Sequence, residues 1–218
     1  MSTLLRLTLA AAFSAAVASS TAISAHGRLE LIPCLTERTT IVPVTIYNRS
    51  RLTEPKLNVV VATVNTLWMP YGVRVERRHE RGLVVIISPD AAELARLDTA
   101  PLVLGTTSFT DGHANAYIQL RLAAAEALAE SASGEGGHFA VLPNVERDRS
   151  LTSMMGVALA HELAHYLLDT QRHSPDGLLQ EAMSFHDLVH PTAERLFLSV
   201  EQQEALCASV TVRNLPGR

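Results

Sequence analysis

Residues 150–168 read SLTSMMGVALAHELAHYLL, and this stretch decides how the rest of the chain is understood. It is apolar nearly all round, which predicts a helix inside a domain rather than on its surface. Within it, His161-Glu162-Leu163-Ala164-His165 forms an H-E-x-x-H motif. Positions four apart on an α-helix stand one above the other, so His161 and His165 share a face and can bind one metal ion. Glu162 projects beside them, placed to take a proton from an attacking water rather than to bind the metal itself. Two imidazoles and a carboxylate in an apolar helix need partners, because burying an unsatisfied polar group is costly. A metal supplies one for all three. The competing reading is a core helix whose histidines bond only to backbone carbonyls.

Catalytic zinc usually has three protein ligands and an open fourth position, whereas a structural site is closed by four. The residues that follow offer Asp169, His173, Glu181 and His186. Asp169 lies one turn beyond His165 and would extend a collinear row. Pro175-Asp176-Gly177 carries turn chemistry, so the helix is expected to end near Thr170 and His173 can fold back from another direction, as tetrahedral geometry demands. His173 is therefore the favoured third ligand. Asp169, Glu181 and His186 stay open as alternatives, or as a fourth ligand that would make the site structural.

On these residues the chain resembles the metzincin branch of the zinc metalloproteases (zincins). The usual form, H-E-x-x-H-x-x-G-x-x-H, would place Gly at position 168 and His at position 171, where Leu168 and Gln171 stand. The present spacing, H-E-x-x-H followed by seven residues and His173, is similar to that of a group of exported bacterial proteins with a metzincin-like site. The resemblance implies an α+β, zincin-like fold: a twisted mixed sheet with an edge strand over the cleft, packed on the active-site helix, and a small helical C-terminal part. It also implies a Met-containing turn beneath the metal, for which Met183 is the nearest candidate, and an edge strand at Ala116-Tyr117-Ile118 that binds peptide by β-addition.

Upstream the pattern of elements is similar. A β-branched run at 39–47 predicts a strand, with Pro43 marking an edge or a bulge. Pro55 opens a helix over 56–69, whose Val60, Val64, Leu67 and Trp68 share a face and which ends at Pro70-Tyr71-Gly72. Residues 73–77 alternate as a half-buried strand, and 83–88 form a nearly continuous apolar run suited to a central strand buried on both faces. Ser88-Pro89 predicts a helix start leading into 91–97. Strand pieces near 103–107 and 116–120 flank the turn Asp111-Gly112-His113. An Ala-rich helix over 122–131 runs into a Gly-rich loop at 133–137, which lacks the Lys-Ser/Thr ending of a phosphate-binding loop. Ser199 and Gln202 form a capping box for a last helix that carries Cys207.

With 218 residues the chain is read as one domain, 26–218, behind a signal peptide at 1–25. Arg6 and the apolar stretch from Leu7 to Val17, too short to span a bilayer comfortably, carry that reading, against the alternative of an uncleaved anchor, and predict a secreted or periplasmic protein. A net charge of −4 and the lack of a basic cluster argue against nucleic acid, and no stable membrane insertion is expected after cleavage. Two cysteines, Cys34 and Cys207, fit one disulfide in an oxidising compartment, against the alternative of Cys34 as an inhibitory thiolate. His79, His113 and His138 read as surface residues, and His186 and His190 as outer groups near the site. The expected activity is hydrolysis of a peptide or protein substrate, with Zn²⁺ on His161, His165 and His173 and Glu162 as general base. The alternatives are a zinc-stabilised binding protein and a zinc hydrolase acting on a non-peptide bond.

Overall fold

Along 40–48 the buried Val42 and Val44 alternate with the exposed or half-buried Ile41, Pro43 and Thr45, the period of a strand with one face in the core. The computed structural model describes residues 31–36, 39–79, 82–89, 103–132 and 142–213. The leader at 1–25, the expected helix at 91–97, the Gly-rich loop at 133–137 and His138 lie outside the described residues. A helical turn, α1 (Pro33–Thr36), precedes strand β1 (Thr40–Asn48). Helix α2 (Glu54–Trp68) follows, opened by Pro55 and closed by a 3₁₀ turn at Met69–Tyr71 with Gly72 in the left-handed conformation. Strands β2 (Val73–Arg77) and β3 (Leu83–Ser88) come next, then β4 (Gly105–Thr110) and β5 (His113–Arg121). Helix α3 (Leu122–Ala132), the 25-residue α4 (Asn144–Leu168), the short α5 (Phe185–Val189) and α6 (Val200–Arg213) complete the order.

The fold is α+β. The five strands among the described residues lie in the order β2-β1-β3-β5-β4; every neighbouring pair is parallel except β4 with β5. Inward-facing Val44, Val75, Val85, Ile87, Ile118 and Leu120 meet helices α2 and α4, which pack beneath the sheet, α2 under β2 and α4 under β4 and β5. The two helices also touch each other closely. A Cβ on Gly156 would stand 2.5 Å from the Cβ of Thr63 and 3.0 Å from the Val60 carbonyl, so only glycine lets the backbones approach this far. From 152 to 160 every residue of α4 is buried, in keeping with its apolar sequence. The sole tryptophan, Trp68, is fully enclosed and donates its indole N–H to the Ala160 carbonyl at 3.2 Å.

Three expectations about the sheet need correction. Pro43 lies at neither an edge nor a bulge, since β1 pairs with both β2 and β3. The Arg78 N–H donates to the Val44 carbonyl, so even-numbered residues of β1 turn their polar groups to the β2 side and Pro43 turns to the other. Pairing with β3 begins only at Val44, so the missing proline N–H has no ladder partner to lose. β3 holds the central position, but Val84 and Ile86 are only half-buried, so its burial is one-sided. Ala116-Tyr117-Ile118 belong to β5, an interior strand. The edge near α4 is β4 instead.

Asp111 (φ 52°) and Gly112 (φ 84°) join β4 to β5 in the tight two-residue turn that the Asp-Gly pair predicts. The Ser199–Gln202 capping box forms in both directions, at 2.9 and 3.3 Å. Cys34 and Cys207 are joined in a disulfide, with Cα atoms 6.2 Å apart, so Cys34 is not a free thiolate. No helix among the described residues is long and apolar enough to cross a membrane.

Candidate metal centre

Helix α4 sets His161, Glu162 and His165 by its own periodicity, and the chain that leaves it brings His173 back. The helix ends at Leu168, two residues before the expected Thr170. Asp169 then takes the left-handed conformation (φ 50°, ψ 47°), an uncommon one for a residue other than glycine, costing roughly 1–2 kcal/mol. After this reversal the ring of His173 stacks on that of His161 with centroids 5.3 Å apart, and stands edge-on to His165 at 4.9 Å. One ligand atom from each of the three histidines lies within 4.8 Å of the others, close enough to hold a metal ion.

The hydrogen bonds of the first two rings decide which nitrogens are left to bind an ion. His161 donates from Nδ1 to the Leu178 carbonyl at 2.8 Å, and His165 from Nδ1 to the Thr170 carbonyl at 2.7 Å. A carbonyl can only accept, so each Nδ1 carries the proton and each Nε2 presents a lone pair. The two Nε2 atoms are 3.1 Å apart. Two lone pairs facing each other repel unless a cation sits between them, and ligands at about 2.0–2.1 Å in a tetrahedral shell would be ~3.3 Å apart. Both rings are held neutral. Burial, then the neighbouring His165, pushes His161 down to about 4, and burial also lowers His165. The donor set therefore fits a divalent metal, and the bland reading of these histidines as carbonyl-bonded core residues accounts for Nδ1 but not for Nε2.

Glu162 is buried, and its carboxylate meets the edge strand. The Thr107 hydroxyl on β4 lies 2.9 Å from both the Glu162 backbone oxygen and its Oε2. This one hydroxyl serves either protonation state. It donates to an ionised Oε2, or accepts from a protonated one while donating to the backbone oxygen. Burial pushes the carboxyl up to about 7, opposed by the Thr107 hydrogen bonds and the Arg121 charge. Such a group exchanges a proton readily near neutral pH.

Gly105, also on β4, makes this contact possible. A Cβ there would stand 2.7 Å from Glu162 Cγ and 3.1 Å from Oε1. Gly105→Ala should therefore displace Glu162 or push β4 outward, with a stability loss of about 1–3 kcal/mol. Denaturation midpoints check this, and a midpoint equal to the wild type's would show that the contact has room for a methyl group.

The other expected ligands do not join the cluster. Asp169 turns its carboxylate to the β4–β5 hairpin, where it meets His113 and the Ala114 N–H. Glu181 and His186 are exposed and do not join the three-histidine group; the His186 ring instead lies beside His190, at 5.2 Å. Met183 packs half-buried against the core, and the Leu178 carbonyl takes the His161 ring N–H. His113 is exposed, as expected, and pairs with Asp169. Gly105 and Thr107 were not predictable as site residues, since nothing local distinguishes them from other small residues in a strand. A comparison with models of known protein families and with curated proteins finds no match for the chain.

Proposed function

We propose that this protein is an exported zinc metallopeptidase of the metzincin kind, with Glu162 as general base. The observation that carries this reading is the convergence of three imidazoles beside a buried carboxyl poised near neutral pH. His161 and His165, through Nε2, and His173 would hold the zinc, which when bound supplies a Lewis acid that acidifies water and polarises a carbonyl. The Leu178 and Thr170 carbonyls keep the first two rings turned toward it. Glu162 takes the proton of the attacking water on its carboxylate and passes it to the leaving amine, with Thr107 holding Oε2 through both changes of charge.

An extended peptide is the substrate that the neighbouring backbone best accommodates. The Arg121 N–H donates to the Leu104 carbonyl, so the ladder alternation turns the backbone groups of Gly105 and Thr107 away from β5, toward the open edge. These outward groups can pair with substrate main chain, a role that moves from the expected 116–118 to β4. A disulfide suits the oxidising compartment that export would reach.

The purified mature protein is expected to carry one equivalent of zinc and to cleave an unfolded protein substrate. Dialysis against a chelator should abolish cleavage, and zinc should restore it. Cleavage that survives complete metal removal would sink the proposal; tightly held zinc with no hydrolysis of any peptide would favour a metal-stabilised binding protein instead.

A further inference from the structure

The reversal after α4 is made by an aspartate where glycine would fit the backbone with less strain. What glycine lacks is the carboxylate. Oδ1 of Asp169 accepts the Ala114 N–H at 2.6 Å, and Oδ2 lies 2.7 Å from His113 Nδ1. Both partners stand at the start of β5, just past the turn from the edge strand β4. The backbone of the same two-residue step is tied to the histidines. The Asp169 and Thr170 N–H groups reach the His165 carbonyl, and the Thr170 carbonyl accepts from the His165 ring. The Thr170 hydroxyl then accepts the Arg172 N–H at 3.1 Å, immediately before His173. One short segment thus touches the helix that bears two of the histidines, the ring of one of them, the approach to the third, and the hairpin that carries the edge strand.

We propose that Asp169 is a positioning residue that couples the histidine cluster to the edge-strand hairpin, so that metal binding and hairpin order reinforce each other. The coupling runs both ways: whatever ordering zinc imposes on the hairpin, an ordered hairpin returns as zinc affinity. The inference rests on reading the three histidines as a metal centre and does not depend on catalysis.

Hydrogen exchange at the Ala114 amide reads the hairpin side directly, and competition with a chromophoric chelator reads zinc affinity. In the full wild-type chain zinc should slow Ala114 exchange tenfold or more. Asp169→Gly removes both the strain and the carboxylate; zinc should bind it about 10- to 100-fold more weakly, the range for lost outer-shell partners, and should no longer slow Ala114. Asp169→Asn, which tolerates the same backbone and can still accept one N–H, should fall between.

Asp169→Gly with wild-type zinc affinity would overturn the proposal and leave Asp169 as a helix cap. So would Ala114 exchange in the wild type that ignores zinc. Should the glycine variant fail to fold, Asp169→Asn carries the test, and unchanged affinity with unchanged protection in it is again fatal. A wild type that binds zinc and shows the coupling but hydrolyses nothing would remove the catalytic reading and leave this one. Full hydrolysis without coupling would do the reverse, and a wild type that binds no zinc would overturn both.

Discussion

Glu162→Gln is expected to keep its zinc and lose hydrolysis, with kcat/KM falling by about 10²–10⁴-fold, the range that a positioned acid–base group contributes. Glutamine keeps the shape, can still accept from Thr107 Oγ1, and leaves all three imidazoles untouched. Only the capacity to take a proton is lost. His161→Ala provides the contrast, because it removes the Nε2 that faces His165 at 3.1 Å and should lose both zinc and activity. Metal analysis and steady-state kinetics separate the two variants, and equal peptidase activity in Glu162→Gln and wild type would end the mechanism.

The same variant has a signature in the metal-free protein. Burial pushes the Glu162 carboxyl of the folded protein up to about 7, against 4.5 for a free one. A carboxyl raised in this way costs the fold nothing below pH 4.5 and opposes it increasingly as pH rises through about 7. The opposition is on the order of 3 kcal/mol at about 1.4 kcal/mol per pH unit. Metal-free Glu162→Gln should therefore be the more stable protein at pH 8, with the advantage vanishing toward pH 4. His161, lowered to about 4, acts with the opposite sign, but it is present in both proteins and cancels in the difference. Urea denaturation at the two pH values measures this.

The second large effect is on stability alone. Replacing both Cys34 and Cys207 by Ser opens a link between residues 173 positions apart. In the chain-entropy account, closing so long a loop contributes ~5 kcal/mol, chiefly by restricting the unfolded chain. Besides the bridge, Leu35 of α1 enters the core, the Ile32 N–H donates to Gln203 Oε1 at 3.2 Å, and α1 meets the 3₁₀ turn at Met69–Tyr71. The expected outcome is a melting temperature lower by roughly 10–20 °C, at about 2–4 °C per kcal/mol for a chain this size. The urea m-value should also rise as the unfolded state expands. A loss below about 1 kcal/mol would mean that the unfolded chain is already restricted there without the bridge.

Much of this molecule can be read one segment at a time. Alternation in 40–48 and 73–77, the Pro55 start and Gly72 end of α2, the Asp111-Gly112 turn and the capping box at Ser199 are local signals, and each element forms where its residues place it. The H-E-x-x-H helix and the return of His173 belong to the same class, because a helical period and a turn suffice to bring those rings together. What stays hidden depends on which strands become neighbours. Nothing within 105–121 distinguishes the edge strand from the interior one, since both carry small and β-branched residues and the choice is made by β3 pairing with β5. Pro43 misleads for a related reason, because a register offset excuses its missing N–H. Thr107 and Gly105 become site residues only when β4 is laid against α4, 55 and 57 positions away from Glu162 in sequence.

Trp68, locked against the Ala160 carbonyl one residue before the first histidine, has a practical consequence. Because it is the only indole in the chain, its emission comes from a single buried place, the end of α2 where the ring meets the helix that bears the cluster. The protein thus contains its own optical gauge. Intrinsic fluorescence reports the docking of α2 on α4 without a label, and a paramagnetic ion such as Co²⁺ in place of zinc would lie near enough to that fluorophore to quench it, which turns metal loading into a signal readable in real time.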